Sequence, residues 1–217
     1  MRLLLTSAGF TTDEIVNAFT NLCDKPKDQI SIGIINEAYA VEIGDKRWSI
    51  EEQNRCTTIV GGNIDLINLL ALDIKEIEKR VDAVDALYVV GGHTDYLMHI
   101  FNKSGFTKIL PKILEKKVYV GSSAGAMVPC RRVSTEFYLQ EFGEGENYGI
   151  KQYMNLVEFA IKPHLDSPNF PDRDAQKFKR AAKNYNGTII GLRDDQAIMV
   201  DSEKTSHLGG TPLILNG

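Results

Sequence analysis

The stretch that most constrains how this chain can fold is Tyr119-Val120-Gly121-Ser122-Ser123-Ala124-Gly125-Ala126-Met127. An apolar, β-branched run enters a turn made of the smallest side chains and leaves it as a helix-compatible segment, so strand, sharp turn and helix must follow one another directly. The pattern Gly-x-Ser-x-Gly has a physical reason. A side chain held at the apex of so tight a turn leaves no room for bulk two residues to either side, and the amides at the start of a helix favour developing negative charge. In this register Ser123 is the nucleophile and Ser122 is not. Taken alone, a glycine-rich strand-to-helix turn also serves for packing or for cradling a phosphate, so the rest of the chain has to decide.

Short apolar runs alternate with segments of helical period, the pattern of an α/β fold with a mainly parallel sheet covered by helices on both faces. Residues 2–6, 29–35, 67–72, 86–90 and 118–120 read as strands, and so do 157–161, 188–192, 197–200 and 207–208. Thr11 and Glu14 form a capping box ahead of Ile15, Ala18, Phe19 and Leu22, which share one helix face. Ser49 and Glu52 offer a second box. Further helices are expected over 73–81, 96–101 and 108–116, and Asp172 can cap one carrying Ala175, Phe178, Ala181 and Ala182. Residues 140–153, rich in Gly and Glu, read as an exposed loop. Without repeats or linkers, 217 residues suit one domain spanning 1–217.

Charge and cysteine usage narrow the function. A net charge of −4 with no Lys/Arg-rich block makes nucleic acid a poor partner. The apolar start, Met1 to Leu5, breaks at Thr6-Ser7, and no run approaches the roughly 18 residues of a membrane helix, so a cytoplasmic protein without a membrane partner is expected. Cys23, Cys56 and Cys130 are odd in number and widely spaced, which predicts reduced thiols rather than disulfides or a zinc cluster. There is neither a metal-ligand spacing nor a dinucleotide fingerprint, so no cofactor and no metal are expected. Glutaminase chemistry, which needs Cys at the elbow, is disfavoured because Cys130 lies seven residues beyond Ser123.

A serine hydroxyl needs a base, and the histidines are His93, His99, His164 and His207. His164 follows Ile161-Lys162-Pro163 at the C-terminal end of an apolar strand, the edge where α/β sheets collect their active-site groups. His99 sits within a helical pattern and His207 in a late strand, and both read as structural or solvated. Gly91-Gly92 ends another strand, and a glycine amide there, with that of Ala124, would form an oxyanion hole.

Four ordered motifs carry a resemblance. Val89-Val90-Gly91-Gly92-His93-Thr94-Asp95-Tyr96-Leu97, Gly121-Ser122-Ser123-Ala124-Gly125-Ala126, Lys162-Pro163-His164 and Ile190-Gly191-Leu192-Arg193-Asp194-Asp195 together resemble the peptidase E (aspartyl dipeptidase) family of serine peptidases. The resemblance implies a class I glutamine amidotransferase-like fold, a three-layer sandwich, and a relation to the cyanophycinases, which are typically longer. It implies Ser123 as nucleophile, His164 as general base, Gly92 and Ala124 as oxyanion donors, and a short peptide as the substrate of a monomer or homodimer. For the third triad member it points, across a small gap, to Glu136, with Asp166, Asp194 and Asp195 as competitors. His93 stands where the dipeptidases carry Asn and Ser122 where they can carry Trp, so His93 is expected to border the substrate pocket. Arg173 resembles the family's arginine beyond the histidine, which would attract an acidic first residue.

Overall fold

Leu3 and Leu5 of strand β1 (Arg2–Thr6) face one hydrophobic cluster and Leu4 the other, as required of a strand sandwiched between two helix layers. Strand β4 (Ala86–Val89) alternates in the same way, Leu87 and Val89 to one side and Ala86 and Tyr88 to the other. The computed structural model describes residues 1–143, 148–183, 185–202 and 204–216. Its main sheet has the order β3-β2-β4-β5-β1-β8-β9, with β2 (Ile32–Ile35), β3 (Ile64–Leu66), β5 (Val118–Ser122), β8 (Ala197–Asp201) and β9 (Lys204–Leu208). Neighbours from β3 to β1 pair in parallel, and β8 and β9 add on antiparallel. Helix α1 (Asp13–Cys23) and helix α2 (Arg47–Ile59) contribute Ile15, Phe19 and Cys56 to one cluster. Helices α3 (Ile74–Asp82), α4 (Thr94–Ser104), α5 (Phe106–Ile113), α6 (Ala124–Met127), α7 (Thr135–Phe142) and α8 (Ala175–Ala182) contribute to the other.

A second, three-stranded sheet joins β6 (Ala160–Lys162) in parallel to β7 (Ile189–Gly191), which pairs antiparallel with β10 (Leu213–Leu215). Because β6 and β7 run side by side, their C-terminal ends emerge together, and the loops beyond them supply the site.

The fold differs from the sequence reading in instructive places. The cap of α1 is Thr12, whose hydroxyl accepts from the Ile15 amide at 3.3 Å, while Thr11 donates to the Asp194 carbonyl at 2.8 Å. Glu14 reaches the Gly209 amide instead of closing a capping box. Ser49 and Glu52 lie inside α2, where Glu52 meets Tyr88. The predicted strand over 67–72 is a turn, held by Glu37 accepting from the Leu69 and Leu70 amides; the strand precedes it as β3. Asp174, not Asp172, caps α8, accepting from Gln176 and Lys177 at 2.8 Å each. The expected exposed loop over 140–153 begins inside α7 and includes buried Glu141, Ile150 and Tyr153; residues 144–147 of it lie outside the described ones. Glu141 is buried because Lys162 of β6 faces it, Nζ to Oε2 at 3.6 Å, and burial pushes that ammonium down to about 8.

Candidate active site

Strand β5 delivers Ser123 with φ 51° and ψ −113°, a conformation that a serine adopts only under constraint. The constraint is close packing. A Cβ on Gly121 would lie 2.2 Å from the Gly125 carbonyl oxygen, and one on Gly125 would lie 2.1 Å from that of Val89, so neither glycine can carry a side chain. The Ser123 amide is tied to the Thr6 carbonyl at 3.1 Å, anchoring the turn to β1, and its carbonyl accepts from Ala126 and Met127.

His164 follows β6 with φ 61°, and its Nε2 lies 3.0 Å from Ser123 Oγ. Its Nδ1 lies 2.7 Å from Asp194 Oδ1, just beyond β7. Asp194 is held in turn by two hydroxyls: Ser7 donates to Oδ1 at 3.2 Å and Ser167 to Oδ2 at 2.5 Å. Ser7, fully buried at the end of β1, also accepts the His164 amide at 2.8 Å and thereby ties base and acid to the main sheet. Burial pushes the His164 imidazole below its ordinary value despite the opposing carboxylate of Asp194; Arg173 and Lys162 add to the depression. Desolvation would raise Asp194, but hydrogen bonds from His164, Ser167 and Ser7 hold it below the usual carboxylate range. A neutral imidazole therefore stands between a hydroxyl and a carboxylate, the arrangement that abstracts a proton from the hydroxyl.

Ser123, His164 and Asp194 open into a cavity of about 560 Å³. Gly92 borders it and Ala124 follows Ser123 at the start of α6; the amides of both donate to no acceptor among the described residues. Gly92 has φ 135°, and a Cβ on it would lie 2.4 Å from the Ala38 backbone. Arg173 lines another wall, its guanidinium 3.9 Å from the centre of the Phe170 ring, which packs on the His164 ring at 4.6 Å. Glu42, Glu51 and Glu52 also line the cavity.

A sequence profile of peptidase family S51 matches residues 3–208, nearly the whole chain. The chain belongs to peptidase family S51. It is 26% identical over 206 residues to an uncharacterized peptidase of Pasteurella multocida (strain Pm70), covering 94% of this chain and 95% of that one. Over 165 residues it is 22% identical to a protein named peptidase E from Nostoc sp. (strain PCC 7120), covering 72% and 64%. In three dimensions it is similar to a Listeria monocytogenes EGD-e protein described as a candidate peptidase E, with TM-score 0.76, 23% identity and 95% and 96% of the two chains covered. Membership in S51 makes the chain a serine peptidase, and the likeness of structure is to the class I glutamine amidotransferase-like fold.

Within this S51 chain, the residues singled out from the sequence are not all brought together. Glu136 sits exposed in the first turn of α7, because Phe137 and Tyr138 take the buried face of that helix, and it makes no contact with His164. Asp166 caps the approach to α8, accepting from the Ala175 amide, and pairs with Arg193; Asp195 is exposed. His93 lies between Gly92 and Thr94, which line the cavity; its Nδ1 accepts the Tyr96 amide at 3.3 Å as the cap of α4, and its ring meets Tyr148. Arg173 does line the cavity, but from the loop before α8 rather than from a helix turn. Sequence reasoning did not bring Ser7 or Ser167 to the site, and gave Glu52 only a place in a capping box. The polar Thr6-Ser7 step after an apolar strand was the signal for Ser7, since strand ends collect site residues.

Proposed function

We propose that this S51 peptidase hydrolyses short peptides through an acyl-enzyme, with Ser123 as nucleophile, His164 as general base and then general acid, and Asp194 as the group that orients the imidazole. Ser123 Oγ attacks the carbonyl carbon while His164 Nε2 takes its proton. The tetrahedral oxyanion is received by the Gly92 and Ala124 amides, and collapse expels the amine with the proton returned from His164. Water then repeats the sequence on the acyl-enzyme, releasing the acid and restoring Ser123. The observation that carries this reading is the continuous contact from Ser123 Oγ through both ring nitrogens to Asp194, at 3.0 and 2.7 Å.

Arg173 supports a preference for an acidic first residue, through a bidentate charge-assisted contact worth about 1.5–3 kcal/mol when partly desolvated. Glu42 opposes it, since it lies close enough to Arg173 for the guanidinium to pull its carboxyl down against the effect of burial.

The test is Ser123→Ala, expected to lower turnover of a dipeptide substrate by about four to six orders of magnitude and to abolish labelling by a fluorophosphonate. Retained labelling elsewhere with undiminished peptide cleavage would refute the assignment.

A further inference from the structure

Glu52 is the carboxyl of the cavity that the catalytic contacts leave without a task. It is 5% exposed, lines the same cavity as Ser123, and accepts a hydrogen bond from Tyr88 at 2.9 Å. Among the described residues it forms no ion pair: Arg55, one turn further along α2, is exposed and reaches the Ala8 carbonyl. Beside it the Ser122 hydroxyl is close enough to favour the carboxylate, yet it is buried without any partner in hydrogen-bonding geometry. Burial raises the Glu52 carboxyl, and Ser122, Tyr88 and Arg55 oppose that rise. The other carboxylates of the cavity differ. Asp194 holds His164, Glu42 lies near Lys46 and Arg173, and Glu51 is exposed. A buried carboxyl without a counter-ion either keeps a proton or receives a cation from a ligand.

Position selects the cation. Glu52 is beside Ser122, the residue immediately before the nucleophile, so a cation there lies close to the reacting carbonyl. In a peptide cleaved after its first residue the α-ammonium nitrogen is two bonds, about 2.5 Å, from the scissile carbonyl carbon. A lysine side chain at the same residue would carry its charge several bonds further away. We propose that Glu52 is the counter-ion for the free α-ammonium group of the substrate, so that Ser123 attacks the carbonyl of the first residue. This rests on the catalytic reading above.

The experiment compares a panel of free dipeptides, including Ala-Leu, Asp-Leu and Lys-Leu, with their N-acetyl forms in the wild type, Glu52→Gln and Glu52→Asp, alongside fluorophosphonate labelling. Gln keeps the shape of the side chain and an acceptor for Tyr88. The wild type is expected to favour free over acetylated peptides by a hundredfold or more. Glu52→Gln should raise KM for the free peptides about tenfold or more and collapse that preference while still labelling at Ser123. Glu52→Asp should recover part of it. Equal losses on free and acetylated peptides, an unchanged ratio in Glu52→Gln, or a preference for Lys-Leu that survives acetylation would each overturn the proposal. Labelling of Ser123 without cleavage of any free dipeptide also overturns it, leaving the serine chemistry standing. Absence of labelling in the wild type would instead remove the catalytic reading and the Glu52 proposal with it.

Discussion

A serine with φ 51° and an imidazole pushed below its ordinary value by burial are the two residue-scale facts on which the chemistry turns. The sign of the pH dependence follows. In the proposed mechanism His164 acts as a base only when neutral, so kcat/KM should fall as pH drops through its pKa in the free enzyme; because burial lowers that pKa, the acid limb of the profile should lie below the ordinary imidazole value near ~6.5. A limb centred above that value would contradict the assignment. Ser122→Ala, which removes a buried hydroxyl outside the line of proton transfer, should cost little turnover beside Ser123→Ala. Ser123 and His164, which the fold brings into contact, could be picked out of the sequence because each is marked locally, one by the glycines around it and the other by the end of an apolar strand. Asp194 was not singled out. Its contact with His164 bridges 30 positions and depends on how two strands pair, and nothing local separates it from Asp166 or Asp195.

At the scale of elements, the parallel pairing of β6 with β7 brings His164 and Asp194 together, and Ser7 locks that pair to the end of β1. Ser7→Ala removes the buried acceptor of the His164 amide and one donor to Asp194, so it should cost about 1–3 kcal/mol of stability. A displacement of the imidazole of even 1 Å would also lower kcat by about a hundredfold. Denaturant unfolding and steady-state kinetics on one preparation measure both effects, and a wild-type result in each would mean that Ser7 holds nothing. Gly125→Ala is predicted to be far worse for folding, since its Cβ would meet a backbone oxygen rather than a side chain that can move aside. Most strands could be read as continuous apolar runs because they are buried on both faces, and the helix layers from their helical period. Cap positions slipped, Thr11 for Thr12 and Asp172 for Asp174, because neighbouring polar residues compete for the same amides. The short strand β10 lacked a periodic signal altogether; only its pairing with β7 defines it.

For the whole molecule, the cavity lies where the main sheet, the small sheet and α2 meet, so the substrate is judged by groups from distant parts of the chain. If Arg173 reads an acidic first residue as proposed, the wild type should prefer Asp-Leu over Ala-Leu by about ten- to hundredfold and Arg173→Met should bring that ratio towards unity. It should also move the acid limb upward, because the guanidinium is one of the charges that depress His164. An unchanged ratio would mean that Arg173 does not read the first residue of the substrate. The measurement that tests the central claim most directly requires no known substrate. It is the second-order rate of fluorophosphonate labelling in the wild type, Asp194→Asn and Glu136→Gln. Labelling of Ser123 should be slowed by about three to four orders of magnitude in Asp194→Asn, where the amide selects the wrong imidazole tautomer, and should stay within about twofold of wild type in Glu136→Gln. Wild-type labelling of Asp194→Asn, or a collapse in Glu136→Gln, would contradict the Ser123-His164-Asp194 assignment.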